Sequence, residues 1–466
     1  MIDTNAIRNR LMHLAVSGKL VGQNMEDGSA SELVEKLSKE INNSPRREVT
    51  TDEIPYEIPG NWSWCRLSDI GTTNIGLTYH PEDVVIDGIP VLRSNNIKNN
   101  KMDFDDLIKV NCEIREKQYI NENDILICAR NGSKALVGKC AIYNGELGMT
   151  SFGAFMAVYR TWCFEYVYYY FQTKVFRRYF ENENNKQINQ VTQAILKDAI
   201  IPLPPMNEQK RIVKKIKETF EFLDIIDNLQ TQYSSDLEVL KSKIIDAGIQ
   251  GKLTEQLPED GTAEELLEQI AEEKKLLIKE KKIKATKALP EITEDEIPFE
   301  IPDNWKWTRL NDIGLWSAGA TPSRRNMSYY SGCIPWVKTG ELNNGVLKQT
   351  EEHISELALK ECSVRLNPIG SVLIAMYGAT IGKVSILDIE ATTNQACCAC
   401  IPYMGVHNKY LFYYLISHKE DFISKSHGGA QPNISKDIII NELIPLPPYE
   451  EQTRIADKLE ELLGLI

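Results

Sequence analysis

Between Asn207 and Gly248 the chain contains no Pro or Gly, and its apolar residues Ile212, Ile216, Phe220, Leu223, Ile226, Leu237, Leu240 and Ile244 step mainly by three and four. That spacing predicts one amphipathic helix over 208–247 with a coiled-coil seam, capped at Asn207 or Glu208. At 1.5 Å per residue it is about 60 Å long, the shape of a strut. The same seam starts again at Glu450, where Ile455, Leu459 and Leu463 match Ile212, Ile216 and Phe220, but the chain stops at Ile466. The missing continuation stands at the other chain end, because Asn5 to Leu20 matches Glu238 to Leu253. The pattern is that of a ring of two units cut within one strut, so the N-terminal helix is expected near the C-terminal one. Between Ile466 and Ile2 the register lacks about eleven residues, about three helical turns. Either the chain is truncated or the struts are unequal.

The duplication is plain in the flanks. DEIPYEIPGNWSWCRLSDIG (Asp52 to Gly71) recurs as DEIPFEIPDNWKWTRLNDIG (Asp295 to Gly314), and IPLPPMNEQKRI (Ile201 to Ile212) recurs as IPLPPYEEQTRI (Ile444 to Ile455), both at an offset of 243 residues. A third pair, SGKL at Ser17 and QGKL at Gln250, continues into EDGSASELVEKL and EDGTAEELLEQI at an offset of 233. The extra residues of the second copy fall in the charged connector before Asp295, where insertions are tolerated. Segments 52–200 and 295–443 are therefore equal in length while their interiors differ widely. Because the NWxW elements (Asn61 to Trp64, Asn304 to Trp307) are shared, they cannot tell two targets apart, and core packing at the domain entrance is favoured over stacking on bases.

Composition narrows the class. With 466 residues, 42% hydrophobic and 26% charged, the chain can build several globular cores. It lacks an apolar run of about 18 residues or a signal-peptide core, so a cytoplasmic location is expected. The ten cysteines include one dense cluster, Cys397, Cys398 and Cys400, without CxxC pairs or a histidine set, so reduced core thiols are expected and no metal. A net charge of −13 opposes nucleic-acid binding by bulk electrostatics. Binding to DNA then requires locally concentrated basic residues or a partner that supplies phosphate contacts.

The second interior carries GATPSRRNMSYYSGCIPWVKTGEL (Gly319 to Leu342), AMYGATIGKVSI (Ala375 to Ile386), TTNQAC (Thr392 to Cys397) and GGAQPNISKDII (Gly428 to Ile439). The first carries IPVLRSNNI (Ile89 to Ile97) and ARNGS (Ala129 to Ser133). Jointly these series resemble the specificity subunits of type I restriction-modification systems, over nearly the entire chain. The resemblance implies an α+β fold with two target-recognition domains, 52–200 and 295–443. Around them it implies a helical segment 1–51, a central region 201–294 with the long helix and charged connector, and a distal helix 444–466. The long helices are expected to form an antiparallel coiled coil with circular pseudo-symmetry. It further implies a non-catalytic subunit that reads a split double-stranded DNA target, one domain per half-site, with the helices setting the spacer. Two N6-adenine methyltransferase subunits using S-adenosylmethionine, and restriction subunits using ATP and Mg, are the implied partners.

Base reading requires side chains that reach base edges, because phosphate contacts position without reading. In the first domain the candidates are Arg93, Ser94, Asn95, Asn96 and Lys98, with Arg130, Asn131, Ser133 and Lys134. In the second they are Ser323, Arg324, Lys338, Thr339 and Glu341, then Tyr377, Thr380, Lys383, Gln431 and Asn433. Arg93 and Arg130 suit guanine, Asn95 or Asn131 adenine, and Glu341 the amino group of cytosine. The competing reading is that these polar stretches are turns whose Asn and Gly serve the backbone.

Catalytic readings fail on residue identity. GATIGKV from Gly378 has three residues between its glycines and Val after Lys383, where a phosphate loop needs four and then Ser or Thr. PLPPY has Leu where an NPPY-type adenine methyltransferase tetrapeptide has its amide. A fused restriction-methylation enzyme is thereby disfavoured. A duplicated adaptor that binds only proteins stays as the alternative, supported by the acidic charge.

Overall fold

The computed structural model describes residues 1–41, 47–181, 190–284, 289–427 and 432–466. It divides into two compact units, Met1–Gln232 and Tyr233–Ile466. The division falls inside one unbroken helix, Met206–Ile249, of 44 residues. It extends past both expected ends, and Gly248 does not stop it. A Cβ at Gly248 would lie 3.1 Å from Leu459 Cδ1 and 3.3 Å from Ile455 Cγ2, so this glycine permits close helix packing. The stop comes at Gly251, whose φ of +69° turns the chain so that Lys252 N–H reaches back to the Ala247 carbonyl at 2.9 Å. Gly18 ends the N-terminal helix Thr4–Val16 in the same way, with φ +70° and a Lys19 N–H to Leu14 carbonyl bond of 2.9 Å. The duplicated SGKL and QGKL elements are thus helix terminators.

In the first unit the N-terminal helix runs antiparallel to the start of the long helix. Thr4 donates to Asp227 (2.5 Å) and Arg8 to Asp224 (2.8 Å), while Ala15 and Val16 share a buried cluster with Ile212, Val213 and Ile216. In the second unit the end of the long helix, through Ile245 and Ile249, packs with Ile455 and Leu459 of the C-terminal helix Tyr449–Gly464. Each unit therefore pairs half of the long helix with a helix from one chain end. Leu240, expected in the apolar seam, is exposed; Ile245 and Ile249 are the buried positions instead.

Each recognition segment is closed at its own ends. Ser63–Arg66 pairs antiparallel with Ile200–Leu203, Arg66 opposite Ile200; Lys306–Arg309 pairs with Leu443–Leu446, Arg309 opposite Leu443. Entering and leaving strands are thereby locked together, so the interior can change without moving the frame. Buried Arg66 strengthens the lock, donating to the Asp198 carbonyl (2.9 Å) and pairing with Glu53 (2.8 Å). Arg309 does the same with the Asn441 carbonyl (2.8 Å) and Glu296 (2.9 Å). Tyr166 and Tyr170 donate to the Pro202 and Ile200 carbonyls, and Tyr410 and Tyr414 to those of Pro445 and Leu443. Trp62, Trp64 and Trp305 are buried, in keeping with core packing at the domain entrance.

Inside the frame, four strands correspond. Cys140–Ile142, Ile125–Cys128, Met156–Arg160 and Thr72–Ile75 form one sheet in that order. Val384–Leu387, Val372–Ala375, Cys397–Pro402 and Gly314–Ala318 repeat the order in the second unit, which adds Gly345–Leu347 at the edge. The inner strands Ile125–Cys128 and Val372–Ala375 are buried throughout, which explains their unbroken apolar sequence. A second sheet contains a parallel pair in each unit, Ile89–Leu92 with Thr150–Phe152 and Ile334–Val337 with Thr392–Thr393. Cys397, Cys398 and Cys400 are buried, and burial pushes the Cys398 thiol up to about 12. No helix among the described residues is long and apolar enough to cross a membrane.

Candidate nucleic-acid interface

In the first unit, three strand ends bring chain-distant turns together. Strand Ile89–Leu92 delivers Arg93 to Asn96, strand Ile125–Cys128 delivers Arg130 and Asn131, and strand Thr150–Phe152 delivers Gly153 to Phe155. Backbone bonds register them: Gly153 N–H donates to the Leu92 carbonyl (2.9 Å) and Arg130 N–H to the Phe155 carbonyl (3.0 Å). They line a cleft of about 870 Å³ whose walls include Tyr79, Arg93, Asn95, Arg130, Asn131 and Phe155. The floor is mixed, with exposed Phe155 and the Arg130 guanidinium 5.9 Å from its ring centre. A guanidinium over an aromatic face keeps its outward donors available.

The side chains differ in how far they are committed. Arg93 donates to Asp106 at 2.9 Å, and Asn95 to the same carboxylate oxygen at 3.1 Å. Asn131 donates to Ser94 Oγ (3.2 Å) and accepts from Ser133 N–H (2.9 Å), so much of its amide serves the turn. Asn96 is fully buried: its Oδ1 takes Arg93 N–H, and its amide donates to the Asp103 and Asp106 carbonyls. Asn96 therefore stabilises the turn and presents nothing to a ligand, a correction to its place among the base-reading candidates. Ser133 and Lys134 are exposed beside the cleft. Lys98 stands apart on the hairpin Ile97–Lys98 and Lys101–Met102, paired with Asp103 at 2.9 Å.

The second unit repeats the geometry with other side chains. Strand Ile334–Val337 delivers Lys338 to Glu341, Val372–Ala375 delivers Tyr377 to Thr380, and Thr392–Thr393 delivers Asn394 to Ala396. Asn394 N–H donates to the Val337 carbonyl at 3.0 Å, the counterpart of Gly153 to Leu92. Register places Ala396 where the first unit has Phe155. Glu341 accepts from Lys338 N–H (2.7 Å), Thr350 Oγ1 (2.7 Å) and Glu351 N–H (2.8 Å), so its carboxylate holds the turn and is already taken, against its assignment to cytosine. Thr339 lies half-buried in that turn. Thr380 donates to the Tyr377 carbonyl (2.8 Å), leaving the exposed Tyr377 ring as the outward group. Arg324 lies 4.3 Å from the Tyr330 ring centre and pairs with Glu352 at 2.7 Å, beside exposed Ser323. Lys383 is half-buried, and exposed Asn433 bridges Tyr377 through the backbone. Gln431 lies outside the described residues.

Residues 59–232 and 302–466 match the family described as "Type I restriction modification DNA specificity domain". The chain belongs to this family. Among relatives of these specificity subunits, that of the type I restriction enzyme EcoAI from Escherichia coli is 26% identical over 98% of this chain and 88% of its own length. The EcoEI specificity subunit, also from Escherichia coli, is 24% identical over the same shares. A solved chain from work on complex assembly and conformational transition of the type I R-M system shares the fold, with a TM-score of 0.63, 18% identity and coverage of 88% of this chain and 92% of that one.

Sequence reasoning missed Tyr79, Phe155, Asp106 and Glu352. An aromatic two residues after Gly in FGAFM was a usable signal for Phe155. The carboxylates Asp106 and Glu352 were not legible, because their pairing with Arg93, Lys338 and Arg324 joins positions 13 to 28 residues apart that only the folded turns bring together.

Proposed function

We propose that this specificity subunit reads a split duplex DNA sequence, 52–200 taking one half-site and 295–443 the other, without catalysis of its own. What carries the reading is that three polar turns converge at equivalent strand ends in both units, on one frame, with different side chains. A shared frame with different reading groups suits a bipartite, non-palindromic target. In the first cleft Arg130 offers two donors to guanine N7 and O6, and Phe155 offers an apolar contact to a thymine methyl. Methyl transfer from S-adenosylmethionine and ATP-driven cleavage belong to separate subunits. Phe222, Ile225 and Leu229, exposed on the first half of the long helix, supply apolar surface for docking them.

The test is a segment exchange in the assembled complex. Replacing 52–200 with the corresponding segment of a relative, followed by long-read methylome sequencing, is expected to change one half of the methylated motif only. A change in both halves refutes the modular reading, and methyl transfer by the isolated chain refutes the non-catalytic one.

A further inference from the structure

Arg93 and Lys338 hold equivalent places. Each follows the strand that forms the parallel pair, and each has its backbone N–H capped by the side chain three residues on, Asn96 or Glu341 (2.8 and 2.7 Å). Thirteen residues further along stands a carboxylate in both copies. Asp106 accepts from Arg93 at 2.9 Å and also from Asn95 at 3.1 Å. Glu351 accepts from Lys338 at 3.4 Å, and its neighbour Glu352 at 2.9 Å; Glu352 accepts from Arg324 as well, at 2.7 Å. Between the copies Arg has become Lys, Asn has become Glu and Asp has become Glu, yet the pairing persists.

Stability does not account for this persistence. The Asp106 side chain is 61% exposed and that of Glu351 79%, and exposed ion pairs contribute little to folding; Glu352, at 29%, is more covered, but its partner Arg324 is 56% exposed. What the carboxylates do occupy is one Nη of Arg93, the Asn95 amide, one Nη of Arg324 and the Lys338 ammonium, donors that a DNA acceptor would need. The hydrogen bonds from Arg324 and Lys338 hold the Glu352 carboxyl below its ordinary range, which reflects how well these donors suit its charged form.

We propose that Asp106 in the first recognition segment, and Glu351 with Glu352 in the second, are internal competitors of DNA that set specificity. They keep Arg93, Asn95, Arg324 and Lys338 engaged in the free protein and on non-specific duplex, and yield them to a base edge that offers a better-matched acceptor set. A lone phosphate oxygen merely replaces one anionic acceptor by another and leaves a carboxylate facing the DNA backbone. Specificity is a difference of affinities, and this device enlarges it by weakening the wrong complex. It also gives the acidic net charge a role at the interface. The inference rests on the proposed DNA-reading function.

The experiment uses the complex assembled with its methyltransferase subunits. Fluorescence anisotropy measures binding to a duplex carrying the methylated motif and to one with the relevant half-site scrambled, over a series of salt concentrations. Asp106→Asn, and separately the pair Glu351→Gln with Glu352→Gln, are each expected to tighten binding to the scrambled duplex about three- to tenfold. The cognate duplex gains less, so the specificity ratio falls, and the salt dependence on the scrambled duplex steepens by about one phosphate contact. An unchanged or higher ratio in both variants, while Arg93→Ala still loses cognate binding, overturns the competitor role and leaves DNA reading intact. Cognate binding lost with scrambled binding unchanged overturns it too, making the carboxylates positioning residues. If neither Arg93→Ala nor Lys338→Ala alters cognate binding, the assignment of these turns to DNA falls, and the inference with it.

Discussion

Removing one N–H from each copy of the domain entrance gives unequal losses, because the two copies solve the same packing problem differently. Trp305 Nε1 donates to buried Glu451 at 2.9 Å, and that carboxylate also accepts from Gln256 (2.7 Å) and Thr254 (3.2 Å). Its counterpart Glu208 accepts from Gln23 at 2.7 Å, but Glu208 Oε2 and Trp62 Nε1 both lack a hydrogen-bond partner. Trp305→Phe therefore breaks a bond to a buried charged acceptor, whereas Trp62→Phe removes a donor that was making none. A hydrogen bond to a charged group contributes about 1.5–3 kcal/mol. The loss of ring volume is common to both variants, Trp305 being 2% and Trp62 5% exposed, so it largely cancels in the comparison. The difference is expected to favour Trp62→Phe by about 1.5–3 kcal/mol. Native-state hydrogen exchange followed by mass spectrometry reads each unit separately. In the regime where exchange reports opening equilibria, the acceleration of the most protected peptides of 233–466 in Trp305→Phe should exceed that of the matching peptides of 1–232 in Trp62→Phe by about 10- to 150-fold. Equal acceleration in the two variants would refute the argument that the Glu451 bond, and not indole volume, distinguishes the copies.

Other consequences follow from named contacts. Gly18→Ala puts a side chain at φ +70° with its Cβ 2.4 Å from Pro59 Cγ, so a loss of at least about 1–2 kcal/mol is expected in thermal or urea unfolding. The hydrogen bonds from Arg211 and Arg454 lower the Asp27 and Asp260 carboxyls below their ordinary 3.8. Because these folded values lie below the unfolded ones, the stabilisation is fully present above about pH 4 and lost as pH falls through the lowered values. Asp27→Asn should flatten that acid limb in a pH series of melting temperatures. In the assembled complex, Arg130→Ala should weaken binding by about 1–3 kcal/mol and relax one base pair of the motif, while an equal loss on all duplexes would mark a phosphate contact.

Sequence alone determined what is local or repeated. Helix periodicity announced the strut, and the offset of 243 announced two equal frames, because the strands Ser63–Arg66 and Ile200–Leu203 must meet wherever their copies meet. The turn positions at Arg93, Arg130, Lys338 and Tyr377 were legible as polar interruptions after apolar strands. Which of their side chains remain available was not legible, since that depends on partners far along the chain. Asn96 and Glu341 looked as free as Asn95, yet three-dimensional closure spends them on capping. Gly248 read as a helix stop from local propensity, and only the approach of Leu459 shows that the missing side chain makes room for packing. Phe155 and Arg130 became neighbours through the parallel pairing of Thr150–Phe152 with Ile89–Leu92 and the bond from Arg130 N–H to the Phe155 carbonyl. Periodicity reports which face of an element is buried; tertiary structure decides which hydrogen-bonding groups are already satisfied, because satisfaction belongs to pairs of groups and not to single residues.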